Sequence, residues 1–383
     1  MGPVVADKAW NILFETLLGE QQQLAERVRD AMQAQLPAYR GLPREALDEE
    51  VGLEVRRVLL SARAGRAVLD EGELAELAAV GETRAQQGVP VADMLRAWRV
   101  GIEVVISYAR EVGKRLGIED AQVLEFVQST LAWSDIAMVT TAEAHRKTEL
   151  AMAQAEQGRR AAFARGLLFG EVPAVEVRVN AEAFGLDPGV EYIAFRARVG
   201  GDAAARKLDR ALGFDDVTQR SHGLRALVDG DIAGFLSERP ATTVDSVVGY
   251  GPPRPLDRLA ESYHLATRAL MTALACGFRG AHDIGSLGVR AAVAMDADVG
   301  EALRKRYLEP LGAGGSAREL MSTLRTYLAC DMHVETTATR LFVHQNTVRY
   351  RLARFEELTG ASLRDTEVLV GVWWALEFSA MSW

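Results

Sequence analysis

Between Thr336 and Phe355 the chain carries four arginines, Arg340, Arg349, Arg351 and Arg354, and no acidic residue. This is a local excess of cations in a chain whose 44 Lys+Arg and 53 Asp+Glu give a net charge of -9. Interleaved with them are His344, Gln345, Asn346, Thr347 and Tyr350. These side chains suit nucleic-acid contact. Arginine makes bidentate hydrogen bonds to guanine, asparagine and glutamine do so to adenine, and hydroxyls hold phosphates. Gln345, Asn346 and Thr347 open a predicted helix, where backbone N–H groups and the helix dipole favour anions. At roughly 100° per residue, Val348, Leu352 and Phe355 form one apolar stripe, with Asn346, Tyr350 and Ala353 opposite and Thr347, Arg349 and Arg354 flanking. Spacing alone leaves two readings open: a face that touches DNA, or the solvated face of a helix in a small bundle.

The elements that must position these residues form a recognisable outline. A short helix is predicted over about 334–341, a tight turn at Phe342-Val343-His344, and a longer helix from Gln345 to about Leu358. Short helix, turn and longer helix make a helix-turn-helix. Ala338 is small where two helices must approach, and Leu341 and Val343 bracket the turn. Phe342 stands where such turns most often carry glycine. Upstream, Leu320, Leu324 and Leu328 with Tyr327 supply an apolar helix face for this pair.

The run from Val343 to Leu352, preceded by Ala338–Leu341 and followed by Glu357-Leu358-Thr359-Gly360, resembles the C-terminal helix-turn-helix signature of the PucR/CdaR family of bacterial transcription regulators. That family usually reads His-Arg-Asn-Thr, so Gln345 departs from it by one cation. The resemblance implies that His344 to Arg351 open a recognition helix and that Asp365 starts a final helix packing behind it. In this sequence the final helix holds Val368, Leu369, Val372, Trp373, Trp374 and Leu376 and is apolar on nearly all sides, as core or as core plus a dimer contact. Double-stranded DNA is then the implied partner. One recognition helix buries too little surface for tight specific binding, so a homodimer or higher homo-oligomer is expected.

At 383 residues the chain exceeds the roughly 250–300 at which one core stops growing, and its texture changes twice. Residues 1–169 are rich in Ala, Leu, Glu and Arg and read as all-helical, with stops at Pro37–Pro43 and Gly88-Val89-Pro90 and a long helix beginning after Asp120. Residues 170–310 alternate strands (Tyr192–Val199, Leu224–Val228, Ile232–Leu236, Val244–Gly249) with helices and read as α/β. Leu311–Ser316 reads as a flexible linker, leaving 317–383 as the helix-turn-helix domain. The fold class expected is therefore multidomain: all-α, α/β, all-α. Val247–Gly251 with Leu256–Leu270 resembles the degenerate GGDEF-like domain of the same family. Arg84–Val91 with Leu95–Gly101 is similar to the RsbR-type (RsbT co-antagonist) N-terminal domain, which implies a globin-like helical fold without haem. This domain's implied role is signal input or dimerisation, with a small-molecule effector or protein partner unidentified. Arg96 and Arg99 face either an anionic effector or solvent, and His145 reads as a solvated or internally satisfied histidine rather than a ligand.

Catalysis finds little support. The hairpin Val228-Asp229-Gly230-Asp231-Ile232 lacks the Gly-Gly-Asp/Glu-Glu-Phe carboxylates that two-metal phosphoryl chemistry needs, and a plain turn is favoured over a cation site at Asp229 and Asp231. The six histidines have no metal-ligand spacing, no phosphate-binding glycine motif occurs, and Cys276 and Cys330 form neither a disulfide framework nor a zinc site. No enzyme, cofactor or metal is expected. Neither a basic-then-apolar leader between Met1 and Lys8 nor an apolar run longer than Val368–Leu376 is present, so the reading is cytoplasmic, without a membrane partner. The rival readings are a stressosome-like interaction protein with a vestigial DNA module, and a nucleotide-binding GGDEF-type module.

Overall fold

The computed structural model describes residues 3–64, 69–214, 222–240 and 244–381, with side chains from Trp10 onward. Met1 and Gly2, and Ser382 and Trp383, at the outer ends of the first and third expected domains, lie outside the described residues. The chain forms two units, Met1–Glu156 and Gln157–Trp383.

The first unit is helical throughout its described residues: α1 (Pro3–Gly19), α2 (Gln21–Gln35), α3 (Pro37–Arg40), α4 (Arg44–Ala64), α5 (Glu71–Gln86), α6 (Val91–Leu116) and the N-terminal part of α7 (Asp120–Phe169). Local chemistry sets the boundaries. Asp70 and Glu73 form a reciprocal capping box that opens α5, and Gly88 turns in the left-handed region before Pro90 opens α6. Met94, Ile102 and Val105 of α6 are buried with Leu13, Phe14, Leu59, Phe126 and Trp133 in one core. His145 is fully buried, its Nε2 2.7 Å from the Val89 carbonyl, so it is an internally bonded histidine. Arg96 lies beside Asp93 at 3.2 Å and Arg99 beside Glu103 at 3.8 Å, both on the solvated face of α6.

The second unit begins with the last turns of α7 and α8 (Ala174–Ala183) and builds a five-stranded sheet. Its elements are β1 (Tyr192–Arg198), α9 (Asp202–Ala211), β2 (Gly223–Val228), β3 (Asp231–Leu236), β4 (Val247–Arg254), α10 (Leu259–Ala275) and β5 (Ala281–His282), in the order β2-β3-β1-β4-β5. Only the β4–β5 pairing is parallel. Alternation along β1 sends Tyr192 and Ala194 to one core, with Phe163, Leu167 and Leu259, and Phe195 and Ala197 to the other, with Leu208 and Leu212. The β2–β3 turn has Asp229 and Gly230 both at positive φ, as a two-residue hairpin of type I′ requires. Asp231 is buried between Arg196 and Arg198, each 2.9 Å away, and Asp229 lies 3.2 Å from Arg196. The hairpin acids are thus neutralised by arginines of β1. Among the described residues no cluster of three or more His, Cys, Asp or Glu is arranged to hold a metal.

The strand expected at Val244–Gly249 is displaced: β4 starts at Val247 and continues through Pro252 and Pro253 to Arg254. Two local features permit it. Gly249 lies so close to α10 that a Cβ there would meet the Ala266 carbonyl at 2.1 Å. The register against β1 shifts between Ile193 and Phe195, leaving the Ala194 N–H outside the ladder. Ser262 of α10 repairs the gap, its hydroxyl accepting from Ala194 N at 3.0 Å and donating to the Pro252 carbonyl at 2.6 Å.

The expected linker also differs. α11 (Ile284–Leu287), α12 (Arg290–Val293) and α13 (Ala297–Tyr307) lead to α14 (Gly315–Ala329), α15 (Val334–Leu341), α16 (Gln345–Thr359) and α17 (Thr366–Ala380). Tyr307, Leu308 and Leu311 are buried in the same core as Leu320, Leu324, Phe355, Val372 and Leu376. The C-terminal bundle therefore includes α13, and only Gly312–Gly314 joins it to α14 without a core side chain.

Ser262→Ala leaves the Ala194 N–H and the Pro252 carbonyl without their partner, at a cost of about 1–3 kcal/mol. Urea unfolding followed by circular dichroism is the measurement, and an unchanged midpoint contradicts the assignment.

Candidate nucleic-acid interface

The α15–α16 turn depends on a backbone that side chains rarely adopt. Phe342 sits at φ 57°, ψ 40°, closing α15 with Val343 N donating to the Ala338 carbonyl at 3.0 Å. This is the left-handed cap that glycine normally supplies, and the Phe342 side chain is 95% exposed, so no buried contact compensates. His344 then caps α16, its Nδ1 accepting from Asn346 N at 3.2 Å. Because Nδ1 accepts, the neutral ring carries its proton on Nε2 and can donate outward.

Val348 and Phe355 are fully buried and Leu352 is half-buried, which fixes the rotation of α16 about its axis. His344, Asn346, Arg349, Tyr350, Ala353 and Arg354 are exposed, and Gln345 and Thr347 are half-buried at the helix start. Arg349 Nη1 donates to Asn346 Oδ1 at 3.2 Å, one turn apart on the outward face, so two base-reading side chain types brace each other. Arg354 bonds Glu357 at 2.6 Å in an exposed i,i+3 pair. On α15, Arg340 is exposed and its guanidinium lies 3.9 Å from Cys330 Sγ.

Arg351 is placed differently from the other arginines. Its side chain turns back to α14, where it pairs with Glu319 and donates to Thr323 Oγ1 at 3.3 Å, and it is largely buried. Glu319 and Thr323 were not singled out in the sequence. Arg351 lies about 70° from the middle of the apolar stripe, so helical arithmetic places it on the flank of the core. Behind α16, Arg325 of α14 donates to the Leu376 carbonyl at 3.2 Å and Glu377 of α17 pairs with Arg290 at 2.8 Å.

This arrangement agrees with comparison to known proteins. The PucR C-terminal helix-turn-helix domain matches residues 320–378, and the RsbT co-antagonist protein rsbRD N-terminal domain matches residues 22–160. The chain carries both modules. It is 37% identical over 161 residues to an uncharacterised protein of Mycobacterium tuberculosis, an alignment covering 39% of this chain and 38% of the relative. The purine catabolism regulatory protein of Bacillus subtilis is 42% identical over 64 residues, covering 17% of this chain and 12% of that protein. The chain thus spans less than half the length of these relatives. A crystal structure of a regulator of polyketide synthase expression from Bifidobacterium adolescentis aligns with 57% of this chain and 91% of its own, at 20% identity and a TM-score of 0.28.

Phe342→Gly removes the left-handed penalty of a residue with a Cβ, about 1 kcal/mol. The chain should gain stability by that order without loss of helix content, as read by urea unfolding. A destabilised variant would show that the phenyl ring carries a contact within the fold.

Proposed function

We propose that the chain is a DNA-binding transcriptional regulator of the PucR/CdaR type that reads double-stranded DNA with α16, acts as a homodimer in the cytoplasm, and takes its signal through the helical first domain. The observation that carries this reading is the two-sided character of α16. Val348 and Phe355 are fully buried on one side, and Asn346, Arg349 and Tyr350 are presented together on the other, behind a helix-turn-helix cap. In this reading Gln345, Asn346 and Arg349 reach base edges. His344 Nε2, Thr347 and Tyr350 hold phosphates, and Arg340 and Arg354 extend the backbone contact. Arg351 acts as a positioning residue, tying α16 to α14.

The same reading treats the sheet as a degenerate GGDEF-like relay and the first domain as a globin-like input module. The family context of the two modules, with the hairpin acids engaged by arginines, supports a non-enzymatic regulator. Among the described residues no helix is long and apolar enough to cross a membrane, which is compatible with the proposed location. An effector controls DNA affinity by preferring one spacing of the paired recognition helices.

Electrophoretic retardation of genomic fragments by the full chain tests the proposal. Arg349→Ala should weaken retardation of a specific fragment by about 10- to 100-fold, the worth of one bidentate base contact, with an unchanged unfolding midpoint. Arg351→Ala should lower the midpoint as well. Wild-type protein that retards no genomic fragment at low salt sinks the proposal and favours an interaction protein with a vestigial DNA module.

A further inference from the structure

The first unit contains a cavity of about 70 Å³ bounded by α2, α4, α5 and α6. Its walls are apolar, including Met32, Val51, Val55, Met94, Ala97 and Trp98. Val80, Trp98 and Gly101 on its lining are only half-buried, so the space communicates with the surface. At one end the lining becomes polar, with Tyr39, Glu50, Glu54 and Arg84.

These four groups are unequally satisfied. The Arg84 guanidinium is 2.8 Å from Glu50, donates to Gln87 Oε1, and lies over the Tyr39 ring at 5.2 Å, so its charge is matched. Glu54 is bonded through one oxygen only: Oε1 accepts from Arg57, while Oε2 is buried with no hydrogen-bond partner among the described residues. An unpaired buried carboxylate oxygen is costly and, in its ionised form, is not relieved by an anion. What the cavity lacks is a donor.

We propose that this cavity binds a small aliphatic molecule bearing a single hydrogen-bond-donating head, a hydroxyl or a protonated amine, with the head on Glu54 Oε2 and the body between α4 and α6. Size supports a short chain: apolar cavities of ~150 Å³ admit benzene, so one of about 70 Å³ suits a body of about three carbons. Burial pushes the Glu54 carboxyl up to about 7 against the opposing pull of Arg57, so a donor here would be met by a group close to its midpoint at neutral pH. The inference deepens the reading of the first domain as the input module. It is tested without DNA, so its failure leaves the DNA reading standing.

The probes are propylamine, 1-propanol and propionate, which share one three-carbon skeleton and differ in the head. Each is titrated into the full chain by calorimetry and by tryptophan fluorescence, since the Trp98 ring lines the cavity 5.6 Å from that of Trp133. Amine and alcohol should bind saturably, with propionate at least about tenfold weaker. Glu54→Gln, which keeps the side chain's shape, should weaken the amine about tenfold, the loss of one charge-assisted hydrogen bond, while the alcohol stays within a few-fold. Ala97→Leu fills the cavity and should abolish both; should it fail to fold, Glu54→Gln alone decides. The proposal is overturned if amine and alcohol both fail to bind, if propionate binds as tightly as the amine, or if Glu54→Gln leaves amine binding unchanged.

Discussion

The rotation of α16 about its own axis is the constraint on which the polar outward surface of the C-terminal bundle depends. It is set by Val348 and Phe355, both fully buried, Phe355 in one core with Leu320, Leu324 and Val372. A helix turns about 100° per residue, so fixing two buried positions fixes every other one. Asn346, Arg349 and Tyr350 are carried outward as a set, and Arg351 is carried inward to Glu319 and Thr323. The polar face therefore owes its geometry to hydrophobic burial on the opposite side. The arginine bond to α14 adds a polar stop to the same rotation.

Such burial also explains why the bundle starts earlier than its glycines suggest. Tyr307, Leu308 and Leu311 complete the core around Leu320 and Phe355. Arg290, just before α13, meets Glu377 near the end of α17, while Val293, Ala275 and Met381 share a small apolar cluster with Trp373, Trp374 and Phe378. The helices beside the sheet and those of the C-terminal bundle are thus continuous in packing. A rearrangement that separated them would expose those aromatic rings and break the Arg290–Glu377 pair, so a signal that passes between them must do so through small shifts of packed helices rather than by free hinging at Gly312–Gly314.

Legibility from sequence followed the range of the interactions. α15 and α16 lie where the spacing places them, because capping, turn chemistry and a 3.6-residue stripe are local. The β2–β3 hairpin was legible for the same reason, through Asp229-Gly230. The continuation of β4 beyond Gly249 was not, since two consecutive prolines argue against a strand, and their tolerance depends on Ser262, ten residues beyond Pro252, supplying a hydroxyl to both sides of the bulge. Gly312–Gly314 look like a linker because glycine carries no side chain to report which core its neighbours join. The inward turn of Arg351 was half-legible: its helical angle was available, but its partners on α14 are about thirty residues away and visible only in the fold.

Charge completes the argument. Residues 317–383 carry seven basic and eight acidic side chains, so the C-terminal region is not a general polyanion binder. Of its arginines near the turn, Arg351 is committed to Glu319 and Arg354 is shared with Glu357, leaving Arg349 and Arg340 as the exposed guanidiniums without a carboxylate partner among the described residues. Nonspecific affinity scales with the number of phosphates neutralised, and two such cations per subunit give little of it. Under the proposed function, occupancy at a target comes from directed contacts by Asn346 and Arg349 and from presenting two copies of α16 at once, where the second contact is made at the high effective concentration set by the first. In that reading a chain of net charge -9 is kept off most DNA by the same electrostatics that a paired, well-oriented helix face overcomes at the right site.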